Sequence, residues 1–186
     1  MSKSLLVAVL LLGSCGLTVN SSIVILDEAE YAVAISSPPS TNLPLSQVQE
    51  GIVVYLIFGS GLRTQSLIVP SPVTPKAVTA ALQGPFDENV TARGLRTGFY
   101  ESSELINEIS SVDSLATIDL NDAFNELPGD EQLLILGQIV LSIIANTEIT
   151  AINFTSNDVA LNIPNANGQL LKGPAQRLDF VDLVTR

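Results

Sequence analysis

The stretch DEQLLILGQIVLSIIAN, residues 130–146, decides the fold of this chain. The two acidic residues at its start suit the positive end of a helix dipole. At 100° per residue, its apolar side chains cover roughly 260° of a helix and leave a narrow polar stripe of Glu131, Gln138 and Ser142. Packing on a sheet uses an arc of about 100° or somewhat more, so this helix carries surplus apolar surface. Two alternatives could bury that surface: other parts of the chain, or a second protomer that associates through Leu133–Ile144.

Strand signals lie on both sides of this helix. Ile52–Phe58 is β-branched and aromatic, which predicts a buried strand. Gly59-Ser60-Gly61 predicts a turn, and Arg63–Val69 predicts the hairpin partner. Further strands are predicted at Arg93–Tyr100, Leu105–Ile109, Leu115–Leu120, Ile149–Phe154 and Val159–Ile163.

An earlier and shorter helix is predicted between the hairpin and the later strands. Thr74 suits its N-cap and Pro75 its first turn, and Gly84-Pro85 ends it. One face of this helix carries Ala77, Val78, Ala81 and Leu82. The order of elements predicts an α+β fold, a small mixed or antiparallel sheet with two helices packed on one face.

The first residues of the chain have the parts of a secretory signal. Lys3 precedes an apolar run from Leu5 to Leu12, which is too short to cross a bilayer. The sequence Leu12-Gly13-Ser14-Cys15 resembles the bacterial lipobox, in which the cysteine thiol is acylated and becomes the new N-terminus. We therefore predict a signal peptide at 1–14 and lipid attachment at Cys15; the alternative is a buried free cysteine. A Ser/Pro-containing acidic tether is predicted at 15–50 and a globular domain at 51–186.

The composition excludes several classes of function. Eight Lys and Arg against 19 Asp and Glu give a net charge of −11, which opposes nucleic-acid binding because phosphates require clustered cations. The sequence has no histidine and one cysteine, so Ser-His-Asp and Cys-His catalysis and the common zinc sites are impossible. We predict no catalytic residue, no cofactor and no metal.

Two groups of charged residues are candidate sites. The acidic residues around the turn before the long helix could hold Ca²⁺, but their spacing is not that of a calcium loop, and a solvated turn with helix caps explains them better. Paired carboxylates for glycan hydrolysis lack an accompanying aromatic platform, since tryptophan is absent. The arginines could bind an anion, but the favoured interpretation is that they balance the charge of an acidic face. The acidic residues are Asp119, Asp122, Glu126, Asp130 and Glu131, and the arginines are Arg63, Arg93 and Arg96.

Several short pieces of the globular part carry a family resemblance through their order. They are VYL at 54–56, TPKA at 74–77, ALQGP at 81–85, GLRT at 94–97, ATIDLNDAF at 116–124, LGQIV at 136–140, INF at 152–154 and QRLDF at 176–180. Together they resemble the GerM domain, or sporulation and spore germination domain, over about residues 51–182. Ser114 stands where the family usually has glycine, Leu141 where it often has tyrosine, and Leu178 where it has a polar residue. Asp113-Ser114 can still form the turn, because aspartate tolerates the backbone angles required.

The resemblance implies a role in assembly rather than catalysis. GerM domains resemble ring-building folds of secretion-type assemblies, and no catalytic residue or cofactor is attached to them. The resemblance is to stand-alone lipoproteins of Gram-positive bacteria. It implies a non-enzymatic protein of the cell envelope, anchored to the extracytoplasmic face of the membrane by lipid on Cys15, whose domain makes protein–protein or assembly contacts. The alternative is an extracytoplasmic binding module for cell-wall glycan or a small molecule.

Overall fold

A hairpin opens the part of the chain that the computed structural model describes, residues 48–99 and 105–185. Strands β1 (Gln49–Phe58) and β2 (Gly61–Pro70) pair antiparallel and form a two-stranded sheet. The turn needs glycine at position 59, where φ is +59°. Strand β1 begins two residues before the predicted start of the globular domain.

Two helices follow the hairpin. Helix α1 (Pro75–Gln83) starts as predicted, because the Thr74 hydroxyl accepts a hydrogen bond of 3.1 Å from the Ala77 N–H and Pro75 occupies the first turn. Helix α2 (Glu88–Ala92) is capped in the same way by Asp87. The segment predicted as a strand at Arg93–Tyr100 makes a single bridge in the described residues, between Arg96 and Ile57.

The second sheet contains β3 (Ile106–Val112), β4 (Leu115–Leu120), β5 (Ala151–Ser156) and β6 (Val159–Ala160) in that order. Strand β4 is antiparallel to β3 and parallel to β5, and β6 returns antiparallel beside β5. Asp113 makes the β3–β4 turn with a φ of +53°, as predicted for a turn without glycine. The α+β class is confirmed, and its strands divide between two sheets.

The parallel pair β4–β5 is joined by helices α3 (Asp122–Asn125) and α4 (Gly129–Asn146), and α4 is the helix predicted from residues 130–146. After β6 the chain ends its described part with helix α5 (Arg177–Phe180) and a 3₁₀ turn at Val181–Leu183. No helix of residues 48–99 and 105–185 is sufficiently long and apolar to cross a membrane.

Helix α4 is covered by its own chain. It packs on β1, β2 and β5, on helices α1 and α5, and on the 3₁₀ turn. Every residue from Leu134 to Ile143 is buried, including Gln138 and Ser142 of the polar stripe. The surplus apolar surface is therefore used inside the domain, which is the first of the two alternatives considered. Leu133 and Ile144, at the two ends of this stretch, are only half-buried, so self-association through Leu133–Ile144 stays a prediction.

Three predictions concern residues at the start of the chain. The signal peptide at 1–14, lipid attachment at Cys15 and the tether up to residue 47 lie outside the described residues and stay predictions.

Candidate protein-contact surface

Ser142 of the polar stripe and Asn146, one turn later on α4, bind the edge of β1 that faces away from β2. Asn146 accepts a hydrogen bond of 2.8 Å from the Val53 N–H and donates one of 2.7 Å to the Val53 carbonyl. One turn earlier, the Ser142 hydroxyl accepts from the Tyr55 N–H at 2.9 Å. Side chains four residues apart lie on one helix face, so they match alternate residues of the strand. They take the place of a neighbouring strand.

Gln138 continues this row by one more turn. Its side-chain oxygen accepts a hydrogen bond of 3.1 Å from the Gly98 N–H in the buried interior. A side chain at position 98 would collide with the helix, because a Cβ there would lie 2.2 Å from Cγ1 of Ile135. Glycine is required at position 98 by this close approach.

The outer edge of β2 is open by contrast. Since Val53, Tyr55 and Ile57 direct their backbone groups away from β2, their partners in the register direct theirs outward on the other side. The carbonyl of Leu62, at one end of this edge, accepts from the Thr185 N–H at 2.8 Å. Within the described residues no strand pairs along the stretch from 64 to 68.

An apolar groove of about 540 Å³ lies beside this open edge. One wall is the end of β2 and the following residues up to Pro72, and the other is helix α1 with the segment up to Phe86. None of the described residues that line it is charged. Ile68 borders both the groove and the open edge and is 71% exposed. We call the edge from Thr64 to Ile68 and the groove together the candidate contact surface of this domain.

The signal for this surface is weak in the sequence. Ala77, Ala80 and Ala81 recur at helical spacing and line the groove, whereas Val78 and Leu82 of the same helix are buried. The face predicted for α1 joined Ala77 and Ala81 to the two buried residues. Short alanine side chains leave room above the helix, but a sequence does not distinguish an open groove from close packing on another element.

The acidic cluster does not come together as a metal site. Within the described residues, no group of three or more Asp, Glu, Cys or His side chains could hold a metal ion. Asp119 accepts hydrogen bonds from the Thr155 hydroxyl at 2.6 Å, the Asn107 amide at 2.8 Å and the Asp158 N–H at 3.0 Å. These donors, Thr155 first, lower the pKa of Asp119 and outweigh its burial, which acts in the opposite direction.

The other charged residues weighed in the sequence have mostly structural partners. Arg96 binds Glu131 with two hydrogen bonds of 2.6 and 2.8 Å. Arg93 donates to the Gln65 side chain and to the carbonyl of Asn89. Arg63 lies 3.8 Å above the centre of the Phe58 ring. The arginines are not gathered around one anion site, in agreement with the favoured interpretation of charge balance.

Comparisons with known proteins identify the family. Residues 38–162 match the family model described as Germane: sporulation and spore germination. Among solved structures, the tandem GerMN domains of the sporulation protein GerM from Bacillus subtilis match 77% of this chain at 20% identity, with a TM-score of 0.50. This chain spans about half of that structure, 49% of its length. No curated protein matches the sequence.

Two more structures are similar. The first GerMN domain of the same Bacillus subtilis protein matches over 69% of this chain and 98% of its own length, at 18% identity and a TM-score of 0.51. A candidate lipoprotein from Clostridium perfringens matches over 74% of this chain and 92% of its own length, at 16% identity and a TM-score of 0.45. At these identities the two GerMN structures establish the fold alone. Because the family model matches more than half of the residues of this chain, the chain belongs to the sporulation and spore germination family of GerM-type domains.

Proposed function

We propose that this chain is a non-enzymatic lipoprotein of the cell envelope, anchored on the extracytoplasmic face of the membrane, whose domain binds another protein. The observation that supports the binding role is the open edge of β2 beside an uncharged apolar groove. The non-enzymatic part is supported by a sequence without histidine, which leaves no imidazole for acid–base or nucleophilic catalysis.

The anchoring part rests on the start of the chain. A basic residue, an eight-residue apolar run and small residues before Cys15 are the parts of a lipoprotein signal. Stable attachment to a bilayer takes more than one acyl chain, and a lipid-modified N-terminal cysteine supplies several. Residues between Cys15 and β1 would then separate the domain from the membrane.

Replacement of the cysteine tests the anchor. Cys15→Ala should remain an unprocessed precursor and take up no radiolabelled palmitate, whereas the parent chain should be shortened and labelled. Ser14→Ala, which keeps a small residue before the cleavage site, is the control and should mature normally. Normal maturation of Cys15→Ala, or a parent chain without label, would overturn the anchor.

The occupant that best fits the contact surface is an extended, uncharged segment of a partner protein. Such a segment can form main-chain hydrogen bonds with the edge at Thr64, Ser66 and Ile68, as in the addition of a strand to a sheet. Its apolar side chains would enter the groove, where burial contributes about 25 cal/mol per Å². A charged segment would lose its hydration there without a counter-charge in the lining.

Crosslinking in cells tests this contact. A photo-crosslinking amino acid at Ser66, in the full anchored chain, should give one discrete adduct, and mass spectrometry should place the crosslink in an extended segment of another protein. Adding Ile68→Glu should remove the adduct, because a charge then lies in the groove. Adding Val112→Glu should leave it, since Val112 is 74% exposed on β3 and borders no part of the groove.

Three outcomes would contradict the proposal. They are no adduct at Ser66, equal loss with both glutamate variants, and an adduct made only of two copies of this chain. Unchanged thermal unfolding of the Ile68→Glu variant confirms that any loss comes from the surface and not from the fold.

A further inference from the structure

A second pocket lies at the edge of β5, between two attachments of the chain to that strand. Strand β6 pairs with the end of β5 at Thr155 and Ser156. Ala175 bridges Ile152 near the start of β5, with hydrogen bonds of 2.8 and 2.9 Å. Between these two points the Phe154 carbonyl accepts a hydrogen bond of 2.9 Å from the Leu161 N–H. The segments from Leu161 to Ile163 and from Leu171 to Ala175 border a cavity of about 340 Å³ beside the strand. This volume is at the lower end of ligand pockets, about 300–1,000 Å³.

Apart from Thr155, four polar residues line the pocket, of which two are half-buried and two, Asn162 and Lys172, are exposed. Thr117 and Asn153 are paired in the β4–β5 register, so they stand side by side on one face of the sheet. Asn162 and Lys172 belong to the two bordering segments. Within the described residues, no hydrogen bond or ion pair engages these four side chains. Polar groups without a structural partner in a concave site are what a ligand pocket requires.

The charge of the lining selects one class of ligand. Within the described residues, no acidic side chain lines this pocket, and Lys172 is the one charged residue that does. Asp119 receives the hydrogen bond of Thr155, which lines the pocket, but does not itself line it. An anionic group is therefore attracted by Lys172 without an adjacent carboxylate in the lining to oppose it.

We propose that this pocket binds a small carboxylate that also carries amide or hydroxyl groups. Lys172 would bind the carboxylate, while Asn153, Asn162 and Thr117 both donate and accept hydrogen bonds and would orient the rest of the ligand. Leu161 and Leu171 supply apolar surface in the same lining. The inference concerns a different face from the β2 edge and does not depend on the lipid anchor.

Two sugars that differ in one carboxylate-bearing group test the class. N-acetylmuramic acid has a lactyl carboxylate that N-acetylglucosamine lacks, and both have the acetamide and hydroxyl groups. Titrated into the full chain in a detergent solution, N-acetylmuramic acid should shift the ¹H–¹⁵N NMR signals of residues 117, 153, 162 and 172. N-acetylglucosamine should bind about tenfold more weakly, and added salt should weaken N-acetylmuramic acid most.

Variants separate the charge from the fold. Lys172→Gln should weaken N-acetylmuramic acid about tenfold, while Lys172→Arg should keep most of the affinity and Lys76→Gln should change nothing. Asn153→Ala should weaken both sugars to a similar extent, because it removes a contact to the groups that they share. Absence of shifts at these residues, equal affinity for the two sugars, or an equal effect of Lys76→Gln and Lys172→Gln would each overturn the proposal. The contact at β2 could still stand, since its crosslink is measured on another face.

Discussion

Helices α4 and α1 use their apolar residues in opposite ways. Helix α4 has the longer apolar run, yet each of its residues from Leu134 to Ile143 is buried within the chain. Helix α1 is shorter and amphipathic, buries Val78 and Leu82, and borders an open apolar groove with its alanines. A helix that is apolar all round belongs in the centre of a fold. The amount of apolar surface on a segment therefore indicates how deeply it lies, and does not indicate where a partner binds.

The largest expected effect compares one truncation in the two regions. Ile139→Ala should lower the free energy of unfolding by about 2–5 kcal/mol, because Ile139 is 0% exposed and its loss leaves a cavity. Ile68→Ala removes the same atoms at the exposed groove and should cost less than about 0.5 kcal/mol. Urea unfolding of the full chain measures both. A cost below about 1 kcal/mol for Ile139→Ala would contradict the burial of α4 within the fold.

The next effect concerns the hydrogen bonds that close β1. Ser142→Ala should lower the free energy of unfolding by about 1–3 kcal/mol, because it leaves the buried Tyr55 N–H without an acceptor. Ser66→Ala, on the open edge of β2, is the matched control and should be nearly neutral. Amide hydrogen exchange should show faster exchange at Tyr55 in the first variant. Equal stability of the two variants would mean that the polar stripe of α4 is not used as described.

A smaller effect is expected in the second sheet, at Asp119. The folded-state pKa is lowered, so the carboxylate stabilises the fold above its unfolded pKa of about 3.9, and that stability is lost as pH falls through the folded value. Asp119→Asn should cost about 1–2 kcal/mol at pH 7 and reduce the dependence of stability on pH below about pH 5.

The control for this comparison is Asp113→Asn, in the β3–β4 turn. Asparagine tolerates the positive φ at this position as aspartate does, so stability at pH 7 should stay as in the parent chain. Chemical unfolding at pH 7, 5 and 3 tests both variants. A parent chain whose stability does not fall at low pH would contradict the assigned hydrogen bonds of Asp119.

The smallest effect is expected at the N-terminal end of α4, where the helix reaches solvent. Glu131→Gln removes the ion pair with Arg96, whose side chain is 42% exposed, and should cost about 0.5–1 kcal/mol at low salt. Asp130→Asn, one residue earlier and without an ion pair to a described residue, should cost a few tenths of a kcal/mol through the helix dipole. Salt should diminish the first effect. A loss of several kcal/mol for Glu131→Gln would show that the pair has a larger role than surface ion pairs usually have.

Local sequence patterns predicted most of the elements. Thr74 and Pro75 define the start of α1, Gly59-Ser60 defines the hairpin turn, and the residues of α4 define its whole length. The division into two sheets was not predicted, because strand patterns indicate which segments are extended and not which strands become neighbours. Local patterns also did not predict which residues the polar side chains of α4 contact, because their partners Val53 and Tyr55 are far away in sequence.

The candidate contact surface was the part least accessible to sequence reasoning. The edge of β2 is open because no other described strand pairs with it, and the groove exists because the short alanine side chains of α1 leave space beside the end of β2. The open edge and the groove both depend on which other segments pack beside β2 and α1, and a local sequence pattern does not show that. A residue pattern such as Ser66-Leu67-Ile68 is the same whether its strand lies at the edge or in the middle of a sheet.

The hydrogen bonds between β1 and α4 also order events during synthesis of the chain. Val53 and Asn146 are separated by 93 residues, so the hairpin emerges long before the side chain that closes its edge. At a synthesis rate of about 5–20 residues per second, this interval is roughly 5–20 s. An unpaired β-strand edge attracts other extended chains during that time. The nascent protein therefore passes through a stage in which the β1 edge at Val53 and Tyr55 lacks its partners on α4, and completion of α4 ends that stage.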